Sequence, residues 1–189
     1  MSRIITFSRY FPAYHPRKGE PTYFVEGILT QLGIKYKTGG YFKWLIENNP
    51  EISEVFLIKF FDSLKRDISP KLHTIRNHKR PAVVGGSLNP KCWAGKPYNK
   101  TPEGFWQIKF APDIEIKKVW DVKVEKDNFQ NDDGTIAVVT KIIIDGMHKT
   151  ENYEKLAAND GLNIDDLCNW FNKPMVGQVL CWNENIIYP

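Results

Sequence analysis

The sequence lacks the features that mark several large classes of protein. It has no window of about eighteen consecutive apolar residues, so we expect no transmembrane helix. The first ten residues contain two arginines and no long apolar run, so we expect no signal peptide. Its three cysteines, Cys92, Cys168 and Cys181, have no CxxC spacing, which argues against a disulfide framework and against a zinc site. These absences lead us to expect a cytoplasmic protein.

Standard catalytic and nucleotide-binding motifs are missing as well. The sequence contains no GxGxxG, GxxxxGK[ST], HExxH or GxSxG. Its four histidines have no metal-ligand spacing relative to the cysteines, so a zinc deaminase is not expected. We therefore predict neither a bound metal nor a cofactor.

What the sequence does have is a globular composition with a surplus of aromatic residues. Its 189 residues are 42% hydrophobic and 25% charged, which excludes a disordered or low-complexity chain and fits one domain. Aromatic residues make up 13%, which serves a packed core and also stacking surfaces for flat ligands. The net charge of +4 is compatible with a nucleic-acid partner.

Charge is distributed unevenly along the chain. Residues 63–100 contain nine Lys and Arg against one acid, Asp67, whereas residues 112–166 contain thirteen acids against seven bases. A basic segment set against an acidic one predicts one face suited to a polyanion.

The order of local patterns predicts an α+β fold. A strand at 4–7 is followed by an irregular basic and aromatic loop at 8–22 and by helices at about 22–32, 41–48 and 50–67. Strand patterns follow at 72–76, 81–90, 105–110, 114–124, 135–146 and 177–182, with helices at 150–158 and 163–171 before the last strand. Many short strands separated by turn residues favour a small β-barrel.

The densest group of functional side chains lies at 70–81, PKLHTIRNHKRP. Its basic residues surround one hydroxyl group, that of Thr74, and they are Lys71, His73, Arg76, His78, Lys79 and Arg80. Such a cluster attracts a phosphate or carboxylate by charge and by donor geometry. The alternative is a solvated basic strand edge, which discourages aggregation.

Two further segments are candidates for a site. Trp93, Lys96 and Tyr98 interleave aromatic and cationic side chains on a glycine-proline loop, a pattern that suits stacking on a base while pairing with a phosphate. The alternative for this loop is that its rings cap the end of the barrel. Asp160 stands at a helix end before Gly161, where it either serves a site or satisfies free backbone groups of the turn.

The run KLHTIR, followed by a glycine corner and a strand, resembles the ASCH domains of the PUA-like superfamily. Within that superfamily it is similar to the small bacterial N4-acetylcytidine amidohydrolases. Those enzymes begin with an ITF-like strand and an arginine, here Arg9, and their Lys-x-x-Thr-Ile-Arg signature is matched from Lys71 to Arg76. Their catalytic Glu corresponds to Asp160, which is one methylene shorter. The segment order also looks like that of ASCH-like proteins of Bacteroidetes and their phages.

The resemblance covers about two thirds of the chain and implies a fold and an activity. It implies a single PUA-like domain over 1–189, with a small barrel flanked by helices and a helical insertion at about 10–69. It also implies hydrolysis of an N4-acylated cytidine. Thr74 would be the nucleophile and Lys71 the base, if burial or nearby cations lower its pKa. Asp160 would orient Lys71 or accept the cytosine amine.

A second hypothesis is a binding module without catalysis. PUA-like barrels commonly hold RNA or modified nucleotides, and the residues that would then contact the nucleotide are Arg9, His73, Arg76, Trp93, Lys96 and Tyr98. His15 and Arg17 of the first loop would extend that surface. This hypothesis predicts salt-sensitive RNA affinity and no turnover. Thr74 separates the two classes, because a phosphate-binding site does not need a hydroxyl beside Lys71.

A third hypothesis is a protein-interaction role, such as phage–host contact. The helical segment at 22–67 is apolar enough to dock a protein partner or to form a homodimer. The alternative is that its apolar face packs over the rest of the same chain, as one-sided helices usually do.

Overall fold

The computed structural model describes residues 2–77, 81–102 and 104–188, which form an α+β fold. The elements in chain order are β1 (Arg3–Phe7), α1 (Phe24–Gln31), α2 (Gly39–Asn48), α3 (Glu54–Ser63), β2 (His73–Asn77), β3 (Ser87–Trp93), β4 (Gln107–Lys109), β5 (Ile114–Glu115), β6 (Lys118–Gln130), β7 (Ile136–Ile144), α4 (Tyr153–Asn159), α5 (Ile164–Trp170) and β8 (Met175–Cys181). A short 3-10 turn, Thr150–Asn152, leads into α4.

The strands of this part of the chain pair into two four-stranded sheets. In the first sheet β3 lies between β1, to which it is parallel, and β4, and it also pairs with β5. The second sheet is antiparallel in the order β2, β8, β6, β7. Within the described ranges no ladder joins the sheets, so the strands do not close into the barrel that the sequence favoured.

The reason is that the strands at the sheet boundary contact each other through side chains instead of backbone ladders. Arg76 of β2 donates from Nη2 to the carbonyl oxygen of Thr6 in β1, at 3.0 Å. Phe7 is fully buried and packs edge-on against Phe110 and Trp182, with ring centres 5.9 and 6.4 Å away. The sheets therefore share one core around Phe7 without sharing hydrogen bonds between strands.

The strand expected at 81–90 begins later than the sequence predicted. Gly85 has a φ of +78°, and a Cβ on Gly86 would lie 2.9 Å from the carbonyl oxygen of Val83. The glycine pair thus forms a tight turn that precedes β3, and β3 starts only at Ser87. By contrast, β6 and β7 pair as a hairpin, and the NDDG run at 131–134 forms the turn between them.

The three helices between β1 and β2 occupy the predicted helical segment, and α2 contacts the first sheet. Thr38 and Ser53 cap α2 and α3, so the third helix begins after Ser53 and is shorter than predicted. Asn49, which ends α2, exchanges hydrogen bonds of 2.8 and 2.9 Å with the backbone of Lys109 in β4. Tyr41 donates to the carbonyl oxygen of Phe110 at 2.7 Å. The helix α2 therefore packs against the first sheet of the same chain.

Over the described residues, none of the helices combines the length and the apolar character needed to cross a lipid bilayer.

Candidate functional site

The segment that precedes β2 is held between three elements. The Lys71 amide donates to the carbonyl oxygen of Gly27 in α1 at 3.0 Å, and the Lys71 carbonyl accepts from Trp182 Nε1 at 3.1 Å. The Leu72 amide donates to the carbonyl oxygen of Asn159 in α4 at 2.8 Å. Because a Cβ on Gly27 would lie 3.1 Å from Lys71 Cβ, only glycine lets α1 approach this closely. Hydrogen bonds to Gly27, Asn159 and Trp182 therefore hold the backbone of Lys71 and Leu72 in place.

Lys71 and Asp160 form a buried ion pair at the centre of the molecule. The side chain of Lys71 is 1% exposed and that of Asp160 is 8% exposed. Lys71 Nζ donates to Asp160 Oδ1 at 2.5 Å and to the Asp160 backbone carbonyl, which is a free acceptor at the end of α4. It also lies 4.1 Å from the centre of the Phe24 ring. The structure thus brings Lys71, predicted as the base, next to Asp160, predicted to orient Lys71 or to accept the cytosine amine.

The pKa values of both members of this pair are lowered from their usual values. Burial lowers the pKa of Lys71 to about 8, although the charge of Asp160 and its hydrogen bond oppose this, and the charge of Arg76 lowers it further. Burial alone would raise the pKa of Asp160, but Lys71 and His73 outweigh it and hold that pKa below its usual value. An amine that titrates near neutral pH is suited to general-base chemistry.

Thr74 and Arg76 border a cavity of about 280 Å³ together with Asp160. They point away from His73 because side chains alternate along β2. Aromatic residues form a large part of the cavity wall, and they are Tyr14, Phe24, Trp93, Tyr98, Trp170 and Phe171. The cavity therefore combines a hydroxyl, a guanidinium and a carboxylate with flat apolar walls.

Arg76 borders this cavity with a side chain that is only partly hydrogen-bonded within the described residues. Its Nη2 is used by Thr6, and its guanidinium carbon lies 5.0 Å from the ring centre of Phe7. Its buried Nε has no hydrogen-bond partner among the described residues. Burial lowers the pKa of Arg76 to about 10, so the side chain stays charged at neutral pH. Such a group can hold an oxygen that gains negative charge.

His73, predicted as a nucleotide contact, lies inside the protein. It is completely buried, and its Nε2 lies 2.7 Å from the hydroxyl of Tyr188. Its Nδ1 lies 3.5 Å from Asp160 Oδ1. Burial lowers the pKa of His73. His73 therefore lies next to Asp160 in the protein interior and does not border the cavity.

The other predicted nucleotide contacts divide into two groups. Trp93 and Tyr98 lie at the cavity with ring centres 4.9 Å apart, and Tyr98 is 80% exposed. Lys96 is exposed on the same loop but does not border the cavity. Arg9 lies elsewhere, where it donates to Ser63 Oγ at 2.6 Å and covers the Phe60 ring at 5.0 Å.

Three residues of the predicted basic cluster, His78, Lys79 and Arg80, lie outside the described residues. In the part that is described, no group of three or more His, Cys, Asp or Glu side chains is arranged to hold a metal ion.

The loop between β1 and α1 is fastened to α5. Tyr14 donates to the carbonyl oxygen of Trp170 at 3.0 Å, and Arg17 Nη1 lies 2.5 Å from Asp166 Oδ2. His15 is buried and its Nε2 lies 3.2 Å from the Asp166 carbonyl oxygen. His15 is therefore an anchor of the loop and not the surface contact that the sequence predicted.

A second cavity, of about 430 Å³, lies beside Lys71 and is larger than the first. Gly27, Gly161 and Asp166 border it, and Phe24 separates it from the first cavity because its ring borders both. The larger cavity does not contain Thr74 or Arg76. Thr74, Arg76 and Asp160 converge on the smaller cavity, and we take it as the candidate active site. Lys71 borders the larger cavity and is linked to the smaller one by its hydrogen bond to Asp160.

Several residues of the site were not predicted from the sequence. Trp170 and Phe171 complete the aromatic wall, and Tyr188 holds His73. They lie far along the chain from Lys71, and no local spacing connects them with it. The aromatic surplus was the one sequence signal that pointed to residues of this kind.

Comparisons of this chain with protein-family models, curated proteins and solved structures give no match.

Proposed function

We propose that the protein is an amidohydrolase of the PUA-like (ASCH) kind that removes the acyl group from N4-acylated cytidine or a similar modified nucleoside. The observation that carries the proposal is the buried Lys71–Asp160 pair directly beside a cavity that contains Thr74 and Arg76. Three cysteines that form no disulfide support a reducing compartment, and we propose the cytoplasm.

The size and walls of the cavity favour a single base over a nucleic-acid chain. Its volume of about 280 Å³ lies just below the range of small-molecule sites, which begins at about 300 Å³. Aromatic rings such as Trp93, Phe171 and Tyr14 offer faces for stacking on a flat base. A cytosine with its acyl group is flat and uncharged, and it matches these walls.

The first chemical step transfers the acyl group to Thr74. The Thr74 oxygen attacks the acyl carbonyl carbon, and its proton passes to the neutral Lys71 amine within the Lys71–Asp160 pair. Arg76 donates hydrogen bonds to the carbonyl oxygen as that oxygen becomes negative. The carbon–nitrogen bond to N4 then breaks, and Lys71 returns the proton to the leaving amine. The products are cytidine and an acyl ester of Thr74.

The second step regenerates Thr74. A water molecule attacks the ester carbonyl, its proton passes to Lys71, and the ester bond breaks with return of a proton to the Thr74 oxygen. The acyl group leaves as a carboxylate and the remaining proton goes to solvent. Asp160 holds the Lys71 amine in place throughout, and its short side chain suffices because its backbone carbonyl also binds that amine.

The test is hydrolysis of N4-acetylcytidine by purified protein, followed by chromatography for cytidine. Thr74→Val removes the hydroxyl and keeps the volume, so we expect turnover to fall about a thousandfold or more. Thr30→Val, at an exposed position of α1, is the matched control and should leave turnover unchanged. If Thr74→Val hydrolyses the substrate at the wild-type rate, Thr74 is not the nucleophile and the proposal fails.

A second candidate function is RNA binding without catalysis. The observation that favours it is the exposed Tyr98 ring against Trp93 on the basic loop, a surface on which a base can stack. This function predicts that Tyr98→Ala weakens the binding of single-stranded RNA, that salt weakens it steeply, and that no cytidine is released. Release of cytidine that depends on Thr74 would reject it.

A further inference from the structure

A buried chain of polar groups lies behind Asp160. Asn159 Nδ2 donates to the Tyr188 hydroxyl at 2.9 Å, and that hydroxyl lies 2.7 Å from His73 Nε2. His73 is completely buried and Tyr188 is 4% exposed, and neither borders the cavity. The groups therefore cannot contact a substrate there, and any effect on the reaction must pass through Asp160.

The hydrogen bonds of Tyr188 favour one position for the proton of His73. The Tyr188 hydroxyl has one proton, and because it accepts from Asn159, that proton is free to be donated to His73 Nε2. Burial lowers the pKa of His73, which keeps the imidazole neutral. A neutral ring that accepts at Nε2 carries its proton on Nδ1.

The Nδ1 proton faces an oxygen that is already in use. Nδ1 lies 3.5 Å from Asp160 Oδ1, which is beyond the usual range of about 2.7–3.2 Å for such a bond. Among the described residues no hydrogen bond to Nδ1 meets the usual geometry, although a backbone acceptor, the Leu156 carbonyl of α4, also lies near the ring. The same Oδ1 accepts from Lys71 Nζ. Two donors thus share one carboxylate oxygen, and in this structure Lys71 has it.

We propose that His73, held by Tyr188, is a positioning residue that donates from Nδ1 to Asp160 Oδ1 whenever Lys71 is neutral. A base must be neutral before it accepts a proton, and at that moment Asp160 would lose its charged partner. The His73 N–H then stabilises the buried carboxylate, so it favours the neutral form of Lys71. This inference rests on the proposed function only in that Lys71 serves as the base.

The groups that face the pair come from every element around it. His73 and Arg76 come from β2, Tyr188 comes from the C-terminal segment, and Cys181 of β8 influences Tyr188. The Phe24 ring of α1 lies over Lys71 and the Leu156 carbonyl of α4 lies near His73, and neither group titrates. The charged residues that border the same cavity as Lys71 are Arg17, Asp67 and Asp166. Arg76 favours the neutral form of Lys71 through its charge, whereas His73 does so through a hydrogen bond to Asp160.

The tautomer can be measured without any substrate. Nitrogen NMR of the wild-type protein labelled in its histidine rings reports which ring nitrogen carries the proton. We expect a neutral His73 ring with the proton on Nδ1. A proton on Nε2 would overturn the inference, whether or not the protein hydrolyses anything.

The effect on Lys71 is measured by NMR titration of labelled lysine side chains, with the Lys71 signal assigned by its loss in Lys71→Met. His73→Phe should move the Lys71 midpoint upward by about one pH unit, and Tyr188→Phe should move it in the same direction. His148→Phe is the matched control, because His148 lies 3.0 Å from another tyrosine hydroxyl, that of Tyr153. Tyr36→Phe, which removes a hydrogen bond to Lys65, is the second control.

An unchanged Lys71 midpoint in folded His73→Phe would overturn the inference. The proposed function fails separately, if the wild-type protein releases no cytidine. The two failures are distinguishable because neither NMR measurement requires turnover.

Discussion

Lys71 is a cation placed where charge is costly, and its partners determine its behaviour. It keeps a hydrogen bond to Asp160 Oδ1 and another to the Asp160 backbone, while the Phe24 ring covers it. A buried pair of this kind is weak evidence for stability, but removal of one partner leaves the other charge uncompensated. The pair can therefore be tested through the free energy of unfolding, without any measurement of catalysis.

We predict that Lys71→Met lowers the free energy of unfolding by about 3 kcal/mol, because Asp160 would remain buried without a cation. The double variant Lys71→Met with Asp160→Asn should recover part of that loss, since it removes the second charge. Urea denaturation of the wild type and the variants measures both effects. Equal stability of wild type and Lys71→Met would show that the two side chains do not form a buried pair in solution.

The lowered pKa of Lys71 predicts how activity depends on pH. The base form gains population as pH rises through about 8, so kcat/KM should rise about tenfold per pH unit below 8 and level off above it. A profile of kcat/KM between pH 6 and 10 measures this. A rate that falls with rising pH across this range would exclude the Lys71 amine as the base.

The lowered pKa of Lys71 also predicts how stability depends on pH, because the pKa differs between the folded and the unfolded chain. The unfolded lysine has a pKa of about 10.4, so between pH 8 and 10.4 the unfolded chain binds a proton that the folded chain does not. Lys71 therefore contributes stability that increases with pH over this window. Comparison of the pH dependence of unfolding in wild type and Lys71→Met isolates the contribution, which the variant should lack.

At the scale of elements, α1 is the support that sets the depth of Lys71. A Cβ on Gly27 would lie 3.0 Å from the Ser69 carbonyl oxygen and 3.1 Å from Lys71 Cβ. We predict that Gly27→Ala pushes the segment away from α1, lowers turnover about tenfold and destabilises the fold by about 1 kcal/mol. Initial rates and urea denaturation measure the two effects.

Gly39→Ala provides the matched control for that change. Gly39 is also a helical glycine, at the start of α2, and a Cβ there meets nothing within 4 Å. We expect equal or slightly higher stability and unchanged turnover, since alanine favours a helix. If both variants behave alike, close packing of α1 on Lys71 has no role in the site.

The elements around the site were partly predictable, because their signals are local. The strand pattern at 72–76 predicted β2, and the helical pattern at 163–171 predicted α5. In a regular strand the side chains of Lys71 and Thr74 would face opposite sides, so their joint action requires an irregular strand start. In the structure Lys71 precedes the first residue of β2, so the two-residue alternation does not apply to it.

The support of the site was not predictable from local signals. Tyr188 reaches His73 across 115 positions of sequence, and Trp170 reaches the cavity only because α5 packs beside α1. His73 looked like a surface cation within a basic run, but its position in β2 directs it into the core. Burial of this kind depends on which strands become neighbours, and spacing along the chain does not reveal that.

At the scale of the whole molecule, two sheets meet at one core and the site lies where they join. Arg76 contacts Thr6 of the first sheet from the second, and the cavity contains residues of both. The sequence favoured a closed barrel because it shows many short strands, yet pattern alone does not determine their partners. The parallel pairing of β1 with β3 and the pairing of β2 with β8 leave two open sheets in the described residues.

The separation of charge along the chain allows a prediction about salt. N4-acetylcytidine carries no phosphate, so its binding to a buried site releases no counterions. We expect kcat/KM for this nucleoside to change by less than about twofold between 50 mM and 500 mM salt, since buried interactions are screened little. A loss of several orders of magnitude would instead indicate that the basic segment at 63–100 binds a polyanion.

The most direct test of the proposed amidohydrolase function is to incubate folded wild type and folded Lys71→Met with N4-acetylcytidine at pH 8. Chromatography then measures the cytidine that each protein releases. We expect the wild type to release cytidine and acetate in equal amounts, and Lys71→Met to be slower by at least about a hundredfold. If the wild type releases no cytidine, the proposed activity is wrong. If the two proteins release it at equal rates, Lys71 is not the base.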